Sequence, residues 1–170
     1  MDFFQIVAIG IAVVAAAWDL KTRRIPNLLT FGSALLAVAA HVYGGGLEAG
    51  GCSVAGWFVG VAFFLPLFAL GGMGAGDVKL LAAIGAWLGP GPAIWVALFS
   101  LIAGGVMGFI VALGYGYLTQ AITNISWMFE FWRREGPKPV PRVTLQTHRG
   151  PRLAYAVPVF AGLMVTLWFQ

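Results

Sequence analysis

Apolar residues fall in long blocks along this chain, parted by short polar or glycine-rich pieces. The blocks occupy 3–18, 28–43, 53–70, 78–88, 93–118 and 153–169. A membrane-crossing helix needs ~20 apolar residues, so the pattern predicts an all-α integral membrane protein. It has six spans in one polytopic domain covering 1–170, with a long polar loop at 119–152. The fourth block is short for a span and runs into Gly89-Pro90-Gly91-Pro92, a strong helix stop. The pieces at 44–52 and 119–152 read as loops, and the prolines at 137, 139 and 141 argue against regular helix in the middle of the second. Pro26, after the first basic cluster, is placed to start the second helix.

Composition strengthens the membrane reading. The chain is 60% hydrophobic and 9% charged, where a soluble domain carries about a quarter charged residues. Its formal net charge of +4 therefore says little about nucleic acid, which is not an expected partner. The first block could be taken for a signal peptide because of Ala15-Ala16-Ala17. Signal peptides begin with positive charge, however, and this chain begins Met1-Asp2, with Lys21, Arg23 and Arg24 after the block.

Charge placement then sets topology. With the N-terminus outside, all ten Lys and Arg fall on one side: three in the first inner loop, Lys79 at the second, and six in the third. Glu48 alone marks the loop at 44–52. The positive-inside rule makes the basic side cytoplasmic. The segment 133–152 reads as a solvated inner loop gripping anionic headgroups of the lipid bilayer. Gly-x-x-x-Gly spacings at Gly56/Gly60, Gly72/Gly76, Gly85/Gly89 and Gly104/Gly108 read as close helix packing.

Candidate chemistry is confined to two aspartates. The stretch Gly71-Gly72-Met73-Gly74-Ala75-Gly76-Asp77-Val78-Lys79 puts four glycines and a carboxylate between two apolar blocks. In lipid, non-helical backbone is tolerated only where protein or a water-filled cavity covers it, and a carboxylate at a span's edge is a functional-site hypothesis. Asp19, in Trp18-Asp19-Leu20-Lys21, falls at the same cytoplasmic depth. Two carboxyls meeting there share a proton: the ionised one can activate water while the protonated one donates to a carbonyl oxygen. The glycines beside Asp77 suit close approach of an extended substrate. No Cys-x-x-Cys pair exists, and Cys52, His41 and His148 lack ligand spacing, so neither metal nor cofactor is expected. Each aspartate could equally stand alone, Asp19 beside its basic neighbours and Asp77 at a helix N-terminus.

Asp19-Leu20-Lys21-Thr22-Arg23-Arg24-Ile25-Pro26-Asn27-Leu28-Leu29-Thr30 closely resembles the first signature of type IV prepilin peptidases. Gly74-Ala75-Gly76-Asp77-Val78-Lys79-Leu80 resembles the second, the Gly-x-Gly-Asp signature. The similarity covers about 3–118, and Leu153-Ala154-Tyr155-Ala156-Val157-Pro158 is a looser version of the family's last span. The resemblance implies an aspartic endopeptidase that removes the short basic leader of prepilins after a glycine. Asp19 and Asp77 would be the catalytic pair, and Gly74, Gly76, Lys79, Pro26 and Asn27 supporting motif residues. Implied partners are the prepilin and the pilus secretion machinery. Longer members carry paired Cys-x-x-Cys motifs before the first span and an N-methylation activity. This chain starts at that span with one cysteine, so it resembles the short, peptidase-only branch of Flp-type (tight-adherence) pili, where methyl transfer is in doubt.

Two other readings fit parts of the pattern. A small transporter or assembly subunit would use the aspartates to relay protons or bind a cation, but only one glycine-rich break is present where a carrier has two. The presenilin-like Gly-x-Gly-Asp branch has tyrosine where Trp18 stands. The topology is tested with Glu48→Cys and Arg142→Cys and an impermeant thiol reagent. The two should label from opposite sides; labelling from one side contradicts it.

Overall fold

A computed structural model describes residues 2–116, 118–136, 138 and 153–169, and every regular element among them is helical. The first helix, α1 (Phe3–Thr22), is one turn longer than its apolar block, so Asp19 sits inside its last turn. Asp2 caps it, its N–H donating to Gln5 Oε1 at 3.0 Å. Arg23 ends it in the left-handed region at φ 55°, its N–H returning to the Asp19 carbonyl at 2.8 Å. Pro26 then turns the chain: its carbonyl accepts the N–H groups of Leu29 and Thr30. A π-helical turn, Leu28–Gly32, leads into α2 (Ser33–Ala69).

The loop expected at 44–52 is instead helical backbone bent at one residue, Gly46, with φ 72° and ψ −165°. Glycine adopts that conformation without a Cβ penalty. The bend is a reversal: the Val42 side chain meets Gly50, residues that a straight helix would hold ~12 Å apart. Thus α2 has two arms, in place of the blocks at 28–43 and 53–70. The next helix, α3 (Ala75–Leu88), starts three residues before its block and takes Asp77 into its first turn. Gly89, at φ 82°, is the only break before α4 (Pro90–Gly114). The Gly-Pro-Gly-Pro stop therefore ends one helix and opens the next, because proline fits the first turn, where its missing N–H is not needed.

The largest departure lies in the polar loop. Residues 119–135 belong to an 18-residue helix, α5 (Leu118–Glu135), not to irregular chain. Proline argued against helix only farther on, at positions 137, 139 and 141. Beyond α5 the loop is described only at Gly136 and Lys138; Arg142, His148, Arg149 and Arg152 lie outside the described residues. The last helix is α6 (Ala156–Trp168).

Contacts give the bundle two ends. At one, Phe4 stacks on His41 with ring centroids 4.2 Å apart and lies 6.1 Å from Trp87, while Ser53 Oγ donates to the Ala86 carbonyl at 2.7 Å. At the other gather Asp19, Asn27, Phe68, Asp77 and Tyr155. So α1 and the second arm of α2 both run antiparallel to α3, and α6 returns along α4. Among the described residues, three stretches are long and apolar enough to cross a membrane: Phe3–Thr22, Leu28–Ala69 and Pro90–Gly114; Ala156–Trp168 is apolar but shorter. Short α3 is buried from Leu80 through Trp87, the central helix rather than a lipid-facing one.

Packing onto α3 rests on glycine. Gly56 abuts the Gly85 backbone, and a Cβ on Gly60 would lie 2.6–2.8 Å from backbone atoms of Leu81 and Ala82. Two of the Gly-x-x-x-Gly pairs thus bring backbones together within the bundle. Gly60→Val should destabilise the protein by about 1–3 kcal/mol or more, as overpacking does, read as a lowered Tm in detergent. Gly51→Ala, with open space around it, should leave Tm within a degree or two.

Candidate active site

Local sequence places each carboxyl. The last turn of α1 carries Asp19, which is 6% exposed. Its Oδ2 accepts the backbone N–H of Ala156, the first residue of α6, at 3.3 Å. Asp77 is the third residue of α3, with its N–H donating to the Gly74 carbonyl at 3.2 Å. Gly74, not Asp77, is the helix N-cap. The Asp77 carboxyl lies against the Gly74 backbone, the place of a third-position acid at a helix start. Asp77 therefore fills a helix-terminus role and faces the site at once.

Both aspartates line a single cleft of about 590 Å³, and Asp19 is near enough to act electrostatically on the Asp77 carboxyl. The glycines do less unwinding than their density suggests. Among Gly71, Gly72, Gly74 and Gly76 only Gly71 has positive φ, 78°. Gly74 and Gly76, the two glycines of the Gly-x-Gly-Asp motif, serve approach. A Cβ on Gly74 would sit 3.1 Å from Asp77 Oδ2, and one on Gly76 would touch the Ile25 side chain at 3.4–3.6 Å. Ile25 belongs to the first signature, so the two stretches meet directly.

A second link joins them. Lys79 Nζ donates to Asn27 Oδ1 at 3.0 Å and stands 5.1 Å from the centroid of the Phe31 ring. Lys79 and Asn27 line the cleft with Arg23 and Arg24, so its rim is cationic. Pro26 is not a lining residue; it shapes the turn through its carbonyl. Cys52 is exposed, and His41 Nδ1 is 2.9 Å from the Ala37 carbonyl at the opposite end. Among the described residues, no three His, Cys, Asp and Glu side chains gather.

The residues that sequence reasoning left without a role are Tyr155 and Ala156. Tyr155 lines the cleft, donates from its hydroxyl to the Ser100 carbonyl at 3.3 Å, and stands edge-on to Phe64. Its ring occupies the space left by Gly104, where a Cβ would come within 2.5–2.7 Å of it. The Gly104/Gly108 spacing was the available signal, and what it could not show was which ring fills the gap.

Fold and site together define an all-α membrane protein whose cleft joins two carboxyls from stretches far apart in sequence. The model of the type IV leader peptidase family matches residues 6–113, and the chain belongs to that family. A curated relative, the prepilin leader peptidase/N-methyltransferase of Legionella pneumophila, is 34% identical over 113 residues. That alignment covers 63% of this chain and 39% of the relative, so the chain spans about two-fifths of that protein's length. No solved structure matches.

The Gly104–Tyr155 contact is open to a double-mutant cycle. Gly104→Ala should lower Tm because it collides with the ring, and should do little in a Tyr155→Leu background. A coupling of about 0.5–3 kcal/mol is expected for residues in contact; strict additivity contradicts the placement of Tyr155.

Proposed function

We propose that the protein is a membrane aspartic endopeptidase that removes the short basic leader of type IV prepilins, Flp-like ones in particular, at the cytoplasmic face of the bacterial inner membrane. One observation carries the reading: Asp19 and Asp77, fifty-eight positions apart, line one cleft. Family membership supports it, as does the relative named as a prepilin leader peptidase. Cytoplasmic placement rests on the segregation of the cations.

The chemistry follows from two carboxyls sharing a proton. The ionised aspartate takes a proton from water as the water oxygen attacks the scissile carbonyl carbon. The protonated aspartate gives its proton to the carbonyl oxygen, forming a tetrahedral diol. Collapse re-forms the carbonyl as a diol hydroxyl gives its proton to the second aspartate, and expels the amine, which leaves with the proton held by the first aspartate. Water is consumed and each carboxyl regains its starting state. Gly74 and Gly76 line the cleft beside Asp77, where an extended peptide would lie, and Lys79 with Asn27 holds the two stretches in register.

Asp19→Asn and Asp77→Asn should each lower cleavage of a synthetic prepilin by a factor on the order of 10⁴, with the double mutant no worse, because groups acting as a unit are non-additive. Asp2→Asn should be silent, since α1 puts it ~25 Å from the site. Chelators and Cys52→Ser should leave the rate unchanged. Near-normal cleavage by either single mutant returns the chain to a transporter or assembly role. Loss with chelator, restored by zinc, would mean a metal-activated water.

A further inference from the structure

The helix α5 has a face that the bundle does not cover. None of its residues is buried. Leu118, Ile122, Ile125, Phe129 and Trp132 recur at i, i+4, i+7, i+11 and i+14, the spacing of a single helical stripe. Ala121 and Met128 widen that stripe to about a third of the circumference at ~100° per residue. Ile122, Ile125 and Phe129 are 56%, 51% and 61% exposed. The opposite side carries Thr119, Thr123, Ser126, Glu130 and Arg134, the last two paired at 2.6 Å. Of the large apolar side chains only Trp127 and Phe131 fall outside the stripe.

We propose that α5 lies in the plane of the membrane as an interfacial anchor, its apolar stripe sunk among the acyl chains of an anionic phospholipid surface. Two observations select lipid as the occupant. First, the stripe follows in sequence on a helix with an exposed apolar side of its own: α4 exposes Ile102, Val106, Phe109, Ile110 and Leu113, and α5 begins within four residues of its end. Gly104 and Gly108 of α4 touch Tyr155 and Leu153, so α4 delivers α5 to the membrane face that holds the cleft. Second, cations flank the stripe. Arg133 follows Ile122 by about 20° around the helix, and Trp132 Nε1–H donates to the backbone carbonyl of Lys138 at 2.9 Å, so a second cationic residue follows the stripe at its C-terminal end. A helix of low overall hydrophobicity, with aromatic residues in the apolar face and Arg or Lys beside it, binds the headgroup boundary rather than crossing it. The consequence is positional: the chain leading to Tyr155 and Ala156 departs from a helix held at the bilayer surface. This stands on the membrane character of the chain and not on its peptidase activity.

The test uses the full chain with Cys52→Ser, reconstituted in vesicles of phosphatidylethanolamine and phosphatidylglycerol. Nitroxide labels are placed at Ile122→Cys, Ile125→Cys and Phe129→Cys, and at Thr119→Cys, Thr123→Cys and Ser126→Cys. All six positions are solvent-accessible or half-buried at the surface, and far-UV circular dichroism on each labelled protein confirms that the helix persists. Collision with oxygen and with a nickel chelate then reports depth. The first three labels should lie about 5–10 Å below the phosphates and the second three in water. Six labels equally open to the chelate would overturn the proposal. So would three apolar-face labels shielded from both reagents, which would mean that protein covers the stripe.

Discussion

The register between α3 and its neighbours is the constraint on which the site depends. An α-helix advances ~1.5 Å per residue, so a slip of one turn between antiparallel helices would carry their carboxyls ~5 Å apart in depth. Gly56 against Gly85, and Gly60 against Leu81 and Ala82, let the second arm of α2 lie backbone to backbone on α3. Lipid offers no hydrophobic drive for helices to associate, so such close packing supplies the attraction. With α3 locked, Asp77 in its first turn is fixed against Asp19 in the last turn of α1.

The same logic explains why the motifs are longer than the two aspartates they carry. Ile25 fills the space beside Gly76, Asn27 receives the Lys79 ammonium, and the Pro26 carbonyl anchors the π-helical turn. These contacts tie the chain after α1 to the start of α3 across the mouth of the cleft. A third stretch closes it: the start of α6 gives an N–H to Asp19 and the Tyr155 ring to the wall. The site is thus assembled from three pieces, each at a helix end, where backbone groups lack partners within their own helix.

Much of this was legible in the chain. Block hydrophobicity located the membrane helices, and cation segregation with the paired motifs put Asp19 and Asp77 at one end. What escaped had local causes. The reversal at Gly46 was hidden because one glycine with positive φ turns the chain without a polar loop. The helix α5 escapes a hydropathy reading because its mean hydropathy is low; its signal is the i, i+4, i+7 period from Leu118 to Trp132. Tyr155 and Ala156 act through a ring in a groove and a backbone N–H, neither of which leaves a pattern in sequence.

The central claim is that two carboxyls work as one acid–base unit, and the dependence of cleavage on pH tests it most directly. Measured as kcat/KM for a synthetic prepilin in a fixed lipid environment, the wild-type profile should be bell-shaped. Activity falls on the acid side as both carboxyls hold protons, and on the alkaline side as the shared proton is lost. The two limbs belong to the pair. A profile with a single ionisation, flat on the other side across the range in which the protein stays folded, would contradict the account.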